Sequence, residues 1–475
     1  MEDAKLSRRR LVQLGLGAVA GAGLTSAAVG GLVQPALADW DFDHDDNPFR
    51  ENRDLAKSIQ NAYAFLDQMM DAYAQGNTVR LVQSYADQIA GGTFFSTAFT
   101  YDNGLILLAY LARGQGDDMA RAQVLGNALV YAQNTDAKAD GRFRQAYFAG
   151  SADANGVFVK PGLSFFQGSA VGDVAWAGIS LAQLFARTGT KAYLDAAVKA
   201  ATFIETTTRD NSNVPPGGYF FGNGQSNKST EHNIDVYALF TMLARLTGQA
   251  SWLDGARHAR GFIEAMWDAP SGHFWTGTSD PTHIFFNNSP EDVQSWSYMA
   301  LLDPDFQASL EWVKTNLAAT DTSFALNNGW RFKGNFRVYG STYASLSKIG
   351  TLLGDPSVDP DAVWCEGTAH VAAALLARRL PPKKDIPSFH GDVNTAGTLF
   401  EGVQVAQASL GQGQTVNGHP SVDGQGIVAS TSPLNTGFGF NFFPIRHIGA
   451  TSWYAMAGQA ANPFQVGLRT PESRD

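Results

Sequence analysis

Two kinds of helical pattern alternate along the chain. Stretches 101–113, 174–186, 234–246, 292–302, 366–379 and 450–459 are apolar on nearly every face. Helices apolar all round are buried. Between them lie segments with charge along one face only, such as Lys191, Asp195 and Lys199, or Asp254, Arg257 and Arg260. These read as outer helices that cover the buried set. An amphipathic segment at 58–73 comes first, so the order is outer, inner, outer, inner.

The alternation rests on an internal repeat. Thr188-Gly189, Tyr193-Leu194-Asp195 and Phe203-Ile204-Glu205 recur 59 positions later as Thr247-Gly248, Trp252-Leu253-Asp254 and Phe262-Ile263-Glu264. In each copy an apolar helix closes on an arginine (Arg187, Arg245) and a Thr-Gly turn, and an amphipathic helix follows. Six buried helices are predicted, starting near residues 102, 173, 232, 292, 366 and 450. A further helix is expected at 343–353. The spacing exceeds that of common helical repeats, about 34 to 47 residues. Long loops at 141–166, 211–229, 276–290, 325–341 and 387–449 are expected to fill the difference. Their Gly, Asn and aromatic content predicts short strands and hairpin arms, as at 217–221 and 437–440. Most precede an inner helix, so most belong at one end of a ring, where sites are usually built.

Carboxylates mark the starts of the inner helices. They occur in Tyr101-Asp102-Asn103, Gly172-Asp173-Val174-Ala175-Trp176, Thr230-Glu231-His232-Asn233-Ile234-Asp235, Pro290-Glu291-Asp292-Val293-Gln294-Ser295-Trp296 and Trp364-Cys365-Glu366. Any one of them is accounted for by the helix N-terminus, which favours negative charge. As a set they are not, because helices in a ring point these acids into one crater. There, like charges raise some pKa values, and glycosidic cleavage needs one protonated and one ionised carboxyl group. Glu231, in the densest polar group, is the expected proton donor, with Asp102 and Asp173 as its catalytic partners. His232, Asn233, Asp235, Asp292 and Glu366 are expected to meet sugar hydroxyls. Tyr101, Trp176, Tyr219, Trp296 and Trp364 are expected to stack on sugar rings. Arg142 would meet an acidic sugar or the crater's own acids.

The first 38 residues read as a removable leader. Arg8 and Arg9 precede a weakly apolar run that ends in Ala36-Leu37-Ala38, a small-residue cleavage signal before Asp39. The paired arginines point to the bacterial twin-arginine export machinery and a periplasmic or secreted product. No later stretch offers about 18 consecutive apolar residues, so no stable membrane span is expected after cleavage. One domain is expected over 39–462, followed by a polar tail at 463–475, of which 465–475 is expected to be dispensable. Net charge is −10, from 34 basic and 44 acidic residues, which argues against nucleic acid as a partner. The single cysteine, Cys365, excludes an internal disulfide and multi-cysteine zinc sites. The chain has no glycine-rich phosphate loop, haem-attachment motif or dense histidine cluster, so neither cofactor nor metal is expected.

The Gly172-Asp173-Val174-Ala175-Trp176-Ala177 entry into a Leu- and Ala-rich helix, followed by Tyr193-Leu194-Asp195-Ala196-Ala197, resembles (α/α)6-barrel glycoside hydrolases, notably the central repeat of bacterial family 8 endoglucanases. The resemblance spans about residues 95 to 380 in architecture and is specific over short motifs. It implies an all-α (α/α)6 toroid, a carbohydrate substrate, an inner-helix Glu as proton donor and an inner-helix Asp that activates water. Asp173 carries over by motif, whereas Glu231 is assigned by its setting. Two rival readings stay open. A polysaccharide lyase on an acidic glycan would use His232 or Tyr101 as base, with Arg142 and Asn233 neutralising a uronate. A non-catalytic sugar-binding envelope protein would use the same crater without chemistry.

Overall fold

The computed structural model describes residues 47–49, 51–87, 96–151, 167–323, 330, 332–349, 358–378 and 388–469. The leader segment lies outside these residues. Among them are twelve α-helices: α1 (Arg53–Asp71), α2 (Thr100–Arg113), α3 (Asp118–Asn134), α4 (Val171–Thr188), α5 (Lys191–Thr207), α6 (Thr230–Thr247), α7 (Ser251–Ala265), α8 (Asp292–Leu301), α9 (Ala308–Asn316), α10 (Cys365–Arg378), α11 (Ser388–Ser409) and α12 (Ile448–Ala457).

Even-numbered helices form the inner ring. Each packs on the next, from α2 through α4, α6, α8 and α10 to α12, and α12 closes on α2. This is the expected (α/α)6 toroid, and the six inner helices begin within two residues of their predicted starts. Every residue of α8 and α12 is buried. The outer helices bury a single stripe, as α7 does with Trp252, Gly255, Ala256, Ala259, Phe262 and Ile263, the spacing of one helical face. The Thr-Gly turns stop α4 and α6 because Gly189 (φ 67°) and Gly248 (φ 70°) take the left-handed conformation that ends a helix.

Short two-stranded pairs gather where the inner helices start. Thr97–Phe99 pairs with Ala146–Phe148 ahead of α2, and Lys228–Ser229 pairs with Gly277–Thr278 ahead of α6. Leu434–Asn435 pairs with Asn441–Phe442 around the expected arm at 437–440. An amide side chain ties such segments to three inner helices. Asn103 bonds both backbone groups of Val82, Asn233 those of Tyr219, and Gln294 those of Phe274.

Three expectations are corrected. The segment 387–449 is not one loop, since α11 occupies much of it. Gly391, Gly397 and Gly402 hide that helix from a propensity reading. Gly402 is there for packing: a Cβ would lie 2.0 Å from the Tyr339 carbonyl oxygen. The helix expected at 343–353 is, among the described residues, only a short 3-10 turn, Ser345–Lys348. Finally, the packed domain does not end at 462. Phe464, Val466 and Leu468 are buried, and the segment crosses the far end of the ring. Gln183 of α4 bonds the Gln465 carbonyl at 2.6 Å and the Gly467 N–H at 2.9 Å. Asn462 donates to the Met299 carbonyl of α8 at 3.0 Å. Phe464 lies against Trp176, Trp296 and Trp453, so it floors the barrel beneath the acids.

Candidate active site at the mouth of the barrel

The inner-helix starts converge as the carboxylate pattern predicts. Two groups of acids form the crater, joined through Asp292 and Glu366.

The first group lies on α4, α6 and α8. Asp235 is fully buried. Burial, and then the charges of Glu231, Asp292 and Asp173, push its carboxyl well above the usual carboxylate range. Asp292 is raised in the same way by burial, Glu231 and Glu366. Glu231 and Asp173 keep partial exposure while Asp235 and Asp292 do not. The first pair is therefore open to the crater, and the second pair stands behind it. The side-chain cap of α6 is Ser229, which accepts from the His232 N–H at 3.3 Å. Helix capping thus does not account for Glu231. Gly172 makes room for the group, because a Cβ there would lie 2.6 Å from the His232 ring and 3.2 Å from Asp235.

The second group is a hydrogen-bonded chain across α2, α10 and α12. Trp453 Nε1 donates to Tyr101 Oη at 2.8 Å, and Tyr101 donates to Glu366 Oε1 at 2.6 Å. His447, just ahead of α12, sets Nε2 3.0 Å from Asp102 Oδ1 and Nδ1 3.4 Å from Glu366 Oε2. Burial opposes charge on this imidazole, but the two carboxylates outweigh it and hold its pKa up to about 10. Next to this chain, His370 Nδ1 meets Glu291 Oε2 at 3.1 Å. Burial drives the histidine well below its usual pKa and the glutamate well above its own, so the pair is neutral.

Trp176, Trp296 and Trp453 pack edge-on or stacked beneath the acids, at 5.2 to 5.9 Å between ring centres. Trp176 and Trp296 are buried and belong to the barrel core. Trp364 joins a smaller cluster with Tyr343, Leu434 and Phe442 at the rim. His232 lies at the crater wall against Phe221, and burial pushes its pKa down to about 4.

Three expected site residues lie elsewhere. Tyr219 is fully buried and points outward, donating to Glu205 at 2.6 Å. Asn233 is the amide brace that holds Tyr219 and the Ser229 carbonyl. Arg142 pairs with Asp140 and lies over Phe203 of the outer helix α5. Sequence reasoning passed over His447, His370 and Glu291. His370 had a signal, one turn after Glu366 on the same helix face. Glu291 stood beside Asp292 within a motif already noted. His447 lay ahead of an inner helix with no acid at its start. Among the described residues, no cluster of His, Cys, Asp and Glu is arranged to hold a metal ion, and no helix is long and apolar enough to cross a membrane.

The proton inventory predicts an unusual pH dependence of stability. Burial and neighbouring charge raise the folded carboxyls of Asp235, Glu291 and Asp292, so each holds its proton beyond the about pH 4 at which an unfolded carboxyl releases it. Folded His447 keeps one to about pH 10, whereas an unfolded histidine releases it near about 6.5. Above about pH 6.5 the folded chain therefore binds more protons than the unfolded chain, and stability falls as pH rises. Buried neutral His232 and His370 act in the opposite sense, but only below about 6.5, where unfolded histidine is charged. The unfolding free energy is expected to fall from pH 7 to 9 by on the order of 1.4 kcal/mol per pH unit for the proton that His447 retains, and the thermal midpoint is expected to fall with it. A midpoint that does not fall across this interval would show that the folded protein does not retain these protons.

No protein-family model matches the sequence, and no curated protein matches it. Solved structures do match its fold. A cellobiose 2-epimerase from Bacillus thermoamylovorans superposes with a TM-score of 0.55 at 10% identity, covering 86% of this chain and 99% of that one. A sugar epimerase from a ruminal bacterium gives 0.53 at 10% identity over 85% and 98%. A family 76 glycoside hydrolase from a bovine Bacteroides thetaiotaomicron strain gives 0.53 at 14% identity over 84% and 77%. The chain shares the (α/α)6 fold of these enzymes.

Proposed function

We propose that this protein is a glycoside hydrolase that cleaves a poly- or oligosaccharide with a pair of carboxyl groups. One observation carries the reading. Partly exposed Glu231 and Asp173 face buried acids, Asp235 and Asp292, whose carboxyls are raised well above the usual range. Carboxyls facing one another at close range share protons rather than ionise together. Glu231 is then the reachable member of a proton-holding set and delivers the proton to the leaving glycosidic oxygen. Asp173, on the neighbouring helix, orients the attacking water and takes its proton.

The fold is shared with sugar epimerases as well as with glycoside hydrolases, and two buried histidines, His370 and His447, favour epimerisation as the second reading. The excess of carboxyls at the mouth favours hydrolysis. Three of the four lyase candidates are engaged elsewhere: burial pushes the His232 pKa down, Asn233 is a brace and Arg142 is held by Asp140, while Tyr101 stays in the crater and donates to Glu366. The leader-like pattern at 1–38 supports export of the proposed enzyme, with a mature chain beginning at Asp39.

A screen of neutral and acidic polysaccharides tests the reading. Hydrolysis is expected to raise reducing ends without unsaturated uronate. The first-formed anomer, followed by NMR, is expected to be inverted, because acids on separate helices leave the roughly 6.5 to 9.5 Å that a water requires. A changed sugar at the reducing end with no new reducing ends would replace the hydrolase by an epimerase.

A further inference from the structure

His447 lies outside the proton-donating group and meets acids from two inner helices. Its Nε2 is 3.0 Å from Asp102 on α2, and its Nδ1 is 3.4 Å from Glu366 on α10. The ring lies flat on Tyr85, with centres 4.2 Å apart and planes 7° from parallel. The side chain is 4% exposed. A Cβ on Gly449 would stand 2.6 Å from the ring and 2.7 Å from Asp102 Oδ1, so the glycine leaves the space in which they meet. The Ala450 N–H lies 3.3 Å from Nδ1, a contact only a neutral ring accepts. A carboxylate on either side favours the charged ring, whose Nδ1–H is directed at Glu366.

We propose that His447 is a positioning residue, an imidazolium clamp that binds the Asp102 and Glu366 carboxylates of two inner helices to one cation and holds both in place during turnover. This rests on the hydrolase reading only for its kinetic consequence. The groups facing the ring are Asp102 and, through Glu366, Tyr101 from α2, Glu366 with His370 behind it from α10, and Tyr85 from the segment ahead of α2. Arg446 next door is spoken for by Ser421 and Asp423. His447 thus supplies the positive charge in direct contact with Asp102 and Glu366. Without it, two buried carboxylates face each other and one takes up a proton. Glu366 then loses the fixed orientation that makes it an acceptor for Tyr101.

The first experiment needs no substrate. In protein labelled with ¹⁵N-histidine, the His447 ring is expected to show two protonated nitrogens at pH 8, and a His447→Gln variant identifies its signals. A neutral ring at that pH overturns the proposal. The second is the pH profile of kcat/KM. In His447→Gln the acidic limb is expected to move up by about one unit or more, as the surplus carboxylate proton has to leave first. A lower rate with an unmoved limb assigns the residue to packing alone and also overturns the proposal. If His447→Gln does not fold, His447→Gln/Glu366→Gln removes one of the two facing charges. It is expected to fold, and continued failure to fold counts against a charge clamp. A charged ring in a protein that hydrolyses no glycan refutes the hydrolase and leaves the clamp standing.

Discussion

Replacing Glu231 by glutamine is expected to lower kcat/KM on the true substrate by about 10²- to 10⁴-fold, the value of a positioned general acid, while the protein stays folded. The side chains are nearly isosteric, and the cap of α6 is Ser229, so the helix start does not depend on Glu231. Its charge is one of the causes that raise Asp235 and Asp292, and removing it relieves that repulsion. If Glu231 merely served the helix dipole, its loss would cost about 0.3 to 1 kcal/mol of stability and leave the rate close to wild type. The two roles are therefore separated by orders of magnitude in one assay. Asp173→Asn is expected to be comparably damaging, because an amide cannot take the proton of the attacking water. A Glu231→Gln enzyme that keeps more than about a tenth of the wild-type rate removes Glu231 from the chemistry.

Much of this architecture was legible because helix burial is written locally. A run apolar on all faces can only be an inner helix, and the Thr-Gly repeat marks where two of them stop. α11 was illegible for a non-local reason. Its glycines weaken every propensity signal, and Gly402 makes sense only once Tyr339 of a strand is seen against it. The site divides in the same way. The acids at the helix starts could be read, since each sits in a short motif. Their protonation could not, because it depends on which helix stands beside which. Asp102 and His447 are 345 positions apart, and only closure of the ring between α12 and α2 brings them together. Tyr219 and Asn233 were misassigned because an aromatic and an amide near a helix start look alike whether they face a sugar or brace a hairpin. Three inner helices use the amide as a brace.

Ending the chain at Ala461 is expected to abolish stable folding, although the sequence of the last residues is polar enough to pass for a tail. The removed segment carries buried Phe464, Val466 and Leu468. Truncating one buried Phe or Leu side chain costs about 2 to 5 kcal/mol, and a whole domain is stable by only about 5 to 15 kcal/mol. The loss also strips partners from groups that stay behind. The Gln183 amide loses its bonds to Gln465 and Gly467, and the Met299 carbonyl loses both Asn462 and Gln465. Buried groups left without partners add about 1 to 3 kcal/mol each. The single substitution Phe464→Ala isolates the packing part and is expected to cost about 3 to 5 kcal/mol in a denaturant titration. It reaches the chemistry too. Phe464 supports Trp453, whose indole N–H holds Tyr101 against Glu366, so activity is expected to fall beyond the loss of folded protein. A chain ending at Arg469 keeps all of these contacts and is expected to match the full chain in thermal midpoint. If the chain ending at Ala461 melts at the same temperature as the one ending at Arg469, the segment does not floor the barrel.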